Sequence, residues 1–205
     1  QTDLILSFTK ARITVPISKR KTVPVVPVFT NIPEAYKSKP ISNTLSVDQV
    51  TVSGPPDIID GMTQLVLEPI DFGEITPGAY RFTRNINPPA GVKVTDSSIS
   101  QVRVTISSRN LSSKKLTITK FSFVGLPADK KAQVVTEQLA DVTLAGVRSS
   151  VNALRSTNVY AELDLSDKPG DGEYEVVAKI RFSSHKDVWA VNPAAGQYTV
   201  FVKIS

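Results

Sequence analysis

The sequence predicts an all-β protein made of tandem small antiparallel β domains, each with about one short helical turn, in an elongated arrangement. Three observations predict this class. Apolar and polar residues alternate with a period of two, glycine and proline interrupt the alternating segments roughly every 8–12 residues, and the whole pattern occurs twice. A period of two is typical of strands that bury one face, and regular turn signals are typical of an antiparallel sandwich or barrel-like sheet.

The clearest alternation lies in the last third of the chain. Val176, Ala178, Ile180 and Phe182 would face a core, while Lys179 between them would face water. Strands that close a module show the same alternation at three places: Val102, Val104 and Ile106; Val200, Val202 and Ile204; and, near the start, Ile13, Val15 and Ile17. The three sets predict that the chain contains the ends of three copies of one unit.

An internal repeat relates the two halves of the chain. Residues 50–55 (VTVSGP) resemble residues 142–147 (VTLAGV), so that Gly54 and Gly146 occupy the same place in two copies. Further matches follow in the same order: 31–33 with 125–127, 68–71 with 161–164, and 77–80 with 171–174.

A short helical turn is predicted after each of these glycines. Apolar residues there are three apart, Ile59 and Met62 in the first copy and Val151 and Leu154 in the second. We predict that the first copy's Gly54 supplies an unusual backbone angle just before its turn.

The repeat divides the chain into three parts. We predict that residues 1–20 are the closing strands of a truncated preceding repeat, that residues 21–109 form one module, and that residues 110–205 form another. The hinges between them, residues 18–21 and 107–115, are short, polar and basic, and they predict a rod with limited flexing. Because the chain begins with glutamine and has no signal sequence, we expect it to be a piece of a longer protein.

The composition excludes several kinds of site. The 205 residues include no cysteine, which excludes disulfides, thiolate metal sites and cysteine nucleophiles. No apolar run reaches the length of about 18 residues that a transmembrane helix needs. The net charge is +5, but apart from residues 19–21 and 114–115 the lysines and arginines are scattered. Nucleic acid is therefore not a predicted partner, since it would require basic residues on one face.

The sequence predicts no catalytic residue, no cofactor-binding residue and no metal ligand. The single histidine, His185, lies in a loop-like segment, and one histidine without cysteine is a poor zinc site. Acidic residues from Asp164 to Glu175 lack the spacing of an EF-hand loop, and residues 169–172 among them indicate a hairpin turn. Trp189, the only tryptophan, either anchors the end of its domain or is a hot spot for a partner. Contact is the predicted task, not chemistry.

Four landmarks stand in a characteristic order: residues 14–17 (TVPI), 21–25 (KTVPV), 50–55 (VTVSGP) and 68–71 (EPID). In this order they resemble the YbbR domain family of bacterial membrane-anchored proteins. The resemblance makes 21–109 and 110–205 YbbR-like domains and covers nearly the whole chain. The second copy departs from the family pattern, with Ala145-Gly146-Val147 where Ser-Gly-Pro is usual, so its assignment depends on the internal repeat.

The resemblance implies a location and a partner. Such proteins have an N-terminal transmembrane helix followed by several YbbR domains on the outer side of the cytoplasmic membrane. In many Gram-positive bacteria, the relative encoded beside the membrane-bound diadenylate cyclase regulates that enzyme and hence the level of cyclic di-AMP. The family has no catalytic residues to transfer. We therefore expect a non-catalytic extracytoplasmic ectodomain that modulates the cyclase by protein–protein contact. Its link to the membrane would be an anchor helix missing from this sequence.

The alternative hypothesis is a structural or adhesive module of the cell envelope that binds wall polymer or another surface protein. It predicts that the isolated domains bind glycan or teichoic acid and that salt weakens the binding, because the contacts would be ionic. An enzyme is the third hypothesis, and a turnover lost in a His185→Ala variant would support it.

Overall fold

The computed structural model of the chain describes residues 17–168 and 170–205. These residues form two β modules in tandem, each around its own apolar core, which confirms the predicted all-β class. The predicted end of a preceding repeat falls on residues 1–20, of which 1–16 lie outside the described residues.

The first module begins with a strand that carries the basic residues of the predicted hinge. Its elements, in chain order, are β1 (Lys19–Val26), β2 (Phe29–Thr30), α1 (Glu34–Ser38), β3 (Asn43–Leu45), β4 (Gln49–Gly54), α2 (Pro56–Gly61), β5 (Leu65–Val66), β6 (Ile70–Asp71), a 3-10 turn (Phe72–Glu74), β7 (Arg81–Asn85), β8 (Lys93–Val94) and β9 (Gln101–Ile106).

Four residues separate the end of β9 from the first strand of the second module, whose strands are longer. Its elements are β10 (Leu111–Ile118), β11 (Phe121–Val124), β12 (Ala132–Val134), β13 (Leu139–Val147), α3 (Arg148–Ala153), a 3-10 turn (Ser156–Asn158), β14 (Val159–Asp164), β15 (Gly172–Phe182), β16 (Val188–Ala190) and β17 (Thr199–Ile204). The helical turns predicted after Gly54 and Gly146 are confirmed as α2 and α3.

Both modules use the same strand pairing. β4 lies between β1 and β8, as β13 lies between β10 and β16, and all four pairs are antiparallel. β9 lies between β3 and β7, as β17 lies between β12 and β15, again antiparallel. Parallel pairs join β2 to β6 and β11 to β14. In the second module, β14 also pairs with β15, and this pairing joins β11–β14 and β15–β17–β12 into one five-stranded sheet. In the first module, the corresponding connection is a single bridge between Leu67 and Ile86.

Alternation of side chains across the closing strands supplies much of each core. In β9, Val102 and Val104 are fully buried, while Gln101 and Arg103, which alternate with them, are exposed. The same pattern repeats in β17. Removing such valine and isoleucine side chains from water is the dominant favourable term in folding, at about 1.5–3 kcal/mol for each fully buried side chain.

The prediction that Gly54 supplies an unusual backbone angle is wrong, because neither Gly54 nor Gly146 has a positive φ. Both glycines are instead required by a close approach of two backbones. A Cβ on Gly54 would lie 2.9 Å from the carbonyl oxygen of Gly91, and one on Gly146 would lie 2.5 Å from that of Asp187. At both places the segment entering the short strand β8 or β16 passes directly over the glycine, which leaves no room for a side chain.

Two lysines of the predicted hinges cap the helical turns of their own modules. Lys21 Nζ donates to the carbonyl of Met62 at 2.7 Å, and Lys114 Nζ donates to the carbonyl of Leu154 at 2.9 Å. Met62 and Leu154 are the C-cap residues of α2 and α3, whose last carbonyls favour a positive charge. The boundary predicted after residue 20 lies inside β1, because this strand already begins at Lys19.

We predict that Gly146→Ala destabilises the second module by about 1–3 kcal/mol, because the new methyl group must displace the backbone of Asp187. Urea unfolding followed by circular dichroism measures the change. Gly61→Ala is the matched control, since no heavy atom lies within 4 Å of its new Cβ. Equal unfolding midpoints for the two variants would show that the close approach is not a packing constraint.

Candidate functional site: the joint between the two modules

The joint between the modules is organised around Trp189, which belongs to the second module by sequence and to the first by packing. Trp189 lies in β16 opposite Ala145 of β13 and is only 4% exposed. Its ring stands edge-on against Phe72, with centroids 5.2 Å apart and planes at 88°. Its Nε1 donates to the carbonyl of Ile75 at 2.9 Å. Of the two roles that the sequence left open, the structure favours anchoring, and the anchor point is the neighbouring module.

An aromatic pocket on the first module receives this indole. Phe72 lies at its centre, with Phe29 and Tyr36 packed against it at centroid distances of 5.7 and 5.4 Å. Tyr36 also touches Trp189 directly, at 6.0 Å and 74°. Aromatic pairs in such edge-to-face geometry contribute about 0.5–1.5 kcal/mol beyond their buried area. Burial in this pocket, and secondly the charge of Asp187, raise the pKa of the Tyr36 hydroxyl.

Helix α1 completes the pocket and holds the loop before β16. The backbone N–H of Ala35 donates to the carbonyl of Lys186 at 3.0 Å, and Tyr36 lies one residue further along the helix. In the second module the corresponding segment, between β11 and β12, forms only a turn. The helix is therefore a feature of the first module, and it serves the joint.

A second backbone contact fixes the other side of Trp189. The N–H of Asn192 donates to the carbonyl of Gly73 at 2.9 Å. The side chain of Asn192 lies so close to Gly73 that a Cβ there would come within 2.2 Å of its Oδ1. Backbone contacts on both sides, at Lys186 and at Asn192, hold the strand that carries Trp189 against the first module.

The equivalent positions of the first module carry different residues. Strand pairing places Lys93 where Trp189 stands, because Lys93 pairs with Ser53 in the way that Trp189 pairs with Ala145. Lys93 is exposed and Ser53 half-buried, whereas Trp189 and Ala145 are both buried. The fold itself therefore does not require tryptophan at this position. Trp189 is specific to the joint.

A cleft of about 760 Å³ opens beside the joint and is lined by both modules. Its charged lining residues are the cations Lys37, Lys179, Arg181 and Lys186 and the anions Glu34 and Asp71. Two of the cations are paired, Lys37 with Glu34 at 2.7 Å and Arg181 with Glu162 at 2.8 Å. The excess of positive charge suits an anionic ligand, and the openness of the cleft to solvent keeps each contact weak.

His185 lies on the rim of this cleft in a half-buried loop position. Its Nδ1 is 2.9 Å from the hydroxyl of its neighbour Ser184, and no hydrogen bond joins it to a carboxylate among the described residues. The geometry of a catalytic triad is therefore not assembled around this histidine in the described part of the chain.

The acidic residues around the β14–β15 turn are held by separate partners. Asp164 accepts hydrogen bonds from the hydroxyl and backbone N–H of Ser166, which lower the pKa of its carboxyl. Asp171 pairs with Lys130 at 2.8 Å. Within residues 17–168 and 170–205, no three histidine, aspartate or glutamate side chains lie close enough to hold a metal ion. Nor does any helix of these residues have the length and hydrophobicity to cross a membrane.

Sequence reasoning missed the aromatic pocket, Gly73 and α1. One signal was available for α1: between the matched segments 31–33 and 125–127 and the strands that follow them, the first copy is longer than the second. No signal identified Phe72 as the partner of Trp189, because the two residues are brought together only by the packing of one module on the other.

Comparison with known proteins finds a family match within the first module and three similar solved structures. A family described as YbbR-like protein matches residues 23–106. A YbbR-like domain from Listeria monocytogenes is 20% identical, with 46% of this chain and 93% of that chain covered and a TM-score of 0.32. A protein from Streptococcus thermophilus is 21% identical, with coverage of 46% and 89% and a TM-score of 0.32. A YbbR-like protein from Streptococcus pneumoniae is 12% identical, with coverage of 95% and 98% and a TM-score of 0.36. No curated protein matches the chain.

We predict that Trp189→Ala separates the two modules. The variant loses the aromatic contacts and the hydrogen bond to Ile75, at a cost of about 3–5 kcal/mol of stability, whereas Trp189→Phe loses the hydrogen bond and part of the ring at a smaller cost. Small-angle scattering should show a larger radius of gyration for the alanine variant.

The repeat supplies the control for this experiment. Lys93→Ala changes the equivalent but exposed position of the first module and should leave both stability and radius unchanged. An unchanged radius in Trp189→Ala would mean that other contacts hold the modules together.

Proposed function

We propose that this chain, whose residues 23–106 are a YbbR-like domain, is the non-catalytic ectodomain of a membrane-anchored bacterial regulator. It would stand on the outer side of the cytoplasmic membrane, attached by an N-terminal helix that is not in this sequence. It would modulate a membrane-bound diadenylate cyclase, and so the level of cyclic di-AMP, through protein–protein contact.

The observation that carries this proposal is the Trp189 joint. A regulator that acts by contact must bind two states of its partner with different affinities, and it must present its binding surface in a defined orientation. Two modules on a flexible tether would average over many orientations. A buried indole that is hydrogen-bonded to Ile75 and packed on Phe72 keeps the second module in one position on the first. Contact at one module is thereby transmitted to the other.

Co-purification tests the proposed partner. The tagged protein, produced from its own gene with its membrane anchor, should retain the diadenylate cyclase after detergent extraction, and deleting the gene should change the cellular level of cyclic di-AMP. Absence of co-purification together with an unchanged cyclic di-AMP level would contradict the proposal.

Variants of the joint test how regulation is transmitted. Trp189→Ala should still co-purify with the cyclase but reproduce part or all of the cyclic di-AMP change seen on deletion, because the modules no longer share one orientation. Lys93→Ala should behave as the unaltered protein. Immunoblots of membrane fractions must show equal amounts of all three proteins.

A wall-polymer-binding module is the second candidate function, and the cleft beside the joint favours it. Lys179 and Lys186 line that cleft without forming an ion pair among the described residues, so they are available to an anionic polymer. Attraction of this kind falls steeply with salt, since the Debye length shortens from about 10 Å at 0.1 M to about 3 Å at 1 M.

If this second function holds, the chain should sediment with teichoic-acid-containing walls at low salt. Lys179→Gln combined with Lys186→Gln should release it, whereas Lys203→Gln, which alters a lysine outside the cleft, should not. Binding that persists in 1 M NaCl, or that the double variant leaves intact, would exclude the cleft as a polymer site.

A further inference from the structure

The open face of the five-stranded sheet in the second module carries an apolar patch. Val135, Val177 and Phe201 are 50%, 41% and 49% exposed, and they are three of the six large hydrophobic side chains exposed among the described residues. Single exposed apolar residues are ordinary on any protein surface, whereas a contiguous group marks an interaction surface.

The three residues are neighbours on the sheet. The N–H of Val135 donates to the carbonyl of Phe201 at 2.8 Å, which places the two residues side by side on adjacent strands. Phe201 pairs with Glu175 of β15, and Val177 lies two residues further along that strand on the same face. Diagonal neighbours of this kind are roughly 7–8 Å apart, within reach of an aromatic ring. The patch therefore spans three adjacent strands.

The first module shows that the fold does not need apolar residues here. By strand pairing, Ser46, Asn85 and Arg103 stand at the positions of Val135, Val177 and Phe201. All three are exposed and polar. The side chain of Asn85 accepts from Gln101 at 3.0 Å, and the hydroxyl of Ser46 accepts from the backbone N–H of Arg103 at 3.0 Å. The second module keeps a hydroxyl-to-backbone bond here, from the N–H of Phe201 to Thr136 Oγ1 at 2.9 Å, but its three side chains at these positions are apolar.

The charges beside the patch are arranged symmetrically about Val177. Glu175 and Lys179 flank it on the same face of β15, and neither forms an ion pair among the residues that the structure describes. Glu162, the acidic neighbour of Lys179 on β14, is held by Arg181 at 2.8 Å. An acidic, an apolar and a basic side chain therefore follow one another along the strand.

We infer that this face binds the same face of a second copy of the chain. In this dimer the two sheets pack face to face around a two-fold axis that lies between them, perpendicular to β15 and level with Val177. The two β15 strands are then antiparallel. Glu175 of each copy then faces Lys179 of the other, and Val177 faces its own counterpart. Phe201 and Val135 extend the apolar contact to one side. An unrelated protein could cover the valines, but it would not account for an arrangement of charges that complements itself.

Sedimentation of the whole chain at rising concentration tests the inference. From about 10 µM to 1 mM, the measured mass should rise from one chain towards two. Phe201→Arg and Val135→Ser, which install the residues of the first module, should each weaken dimerisation by about tenfold or more. Thermal unfolding of both variants should match that of the unaltered chain, because the same residues are accommodated at these positions in the first module.

A charge exchange separates this dimer from nonspecific association. Lys179→Glu should weaken dimerisation by about tenfold, and adding Glu175→Lys to it should restore the dissociation constant to within about twofold. A chain that stays monomeric at all concentrations overturns the inference, as does a dimer that Phe201→Arg leaves intact or a double variant that shows no recovery. Val177 and Lys179 also line the cleft beside the joint, so this dimer and the polymer-binding alternative would compete for Lys179, whereas cyclase binding is tested separately.

Discussion

The arrangement of the two modules depends on one buried indole. Trp189 fills an aromatic pocket built around Phe72 and donates its only hydrogen bond to the backbone of the first module. Because a buried tryptophan N–H without a partner costs about 1–3 kcal/mol, the carbonyl of Ile75 fixes the ring's orientation as well as its depth. Helix α1 and the contact between Gly73 and Asn192 then hold the backbone on either side of the ring. The cleft exists only because this contact sets one module beside the other.

Comparing equivalent positions of the two modules distinguishes residues that the fold requires from residues that are specific to one module's surface. Features that the fold requires occur in both modules: a glycine under the loop before β8 or β16, and a lysine on the C-cap of the helical turn. Features that differ lie on the outside, such as Trp189 in place of Lys93 and Phe201 in place of Arg103. This strand framework can therefore change its contacts at particular strand positions without altering its strand pairing.

Much of the fold could be predicted because it depends on local pattern. Alternating apolar and polar side chains identify the strands, and the matched glycines, Gly54 and Gly146, align the sequences of the two modules. The match of 31–33 with 125–127 aligned Asn31 with Gly125, and the structure shows that both have a left-handed backbone, with φ values of 50° and 71°. The joint could not be predicted in this way. Trp189 and its acceptor Ile75 are 114 residues apart, and no periodicity relates a strand of one module to a turn of the other. The role assigned to Gly54 was wrong for the same reason, because its neighbour comes from a distant loop.

The sharing of Trp189 has a consequence for how the molecule can be divided. A fragment that ends after β9 would retain the whole strand scheme of the first module, yet Phe72 and Tyr36 would lose the ring that covers them. Such a fragment would expose an aromatic surface that intact chains never show to water, and exposed surfaces of this kind promote aggregation. In sequence, the boundary between the modules lies near residue 110. The apolar core of the first module, however, is completed by Trp189 of β16, which belongs to the second module.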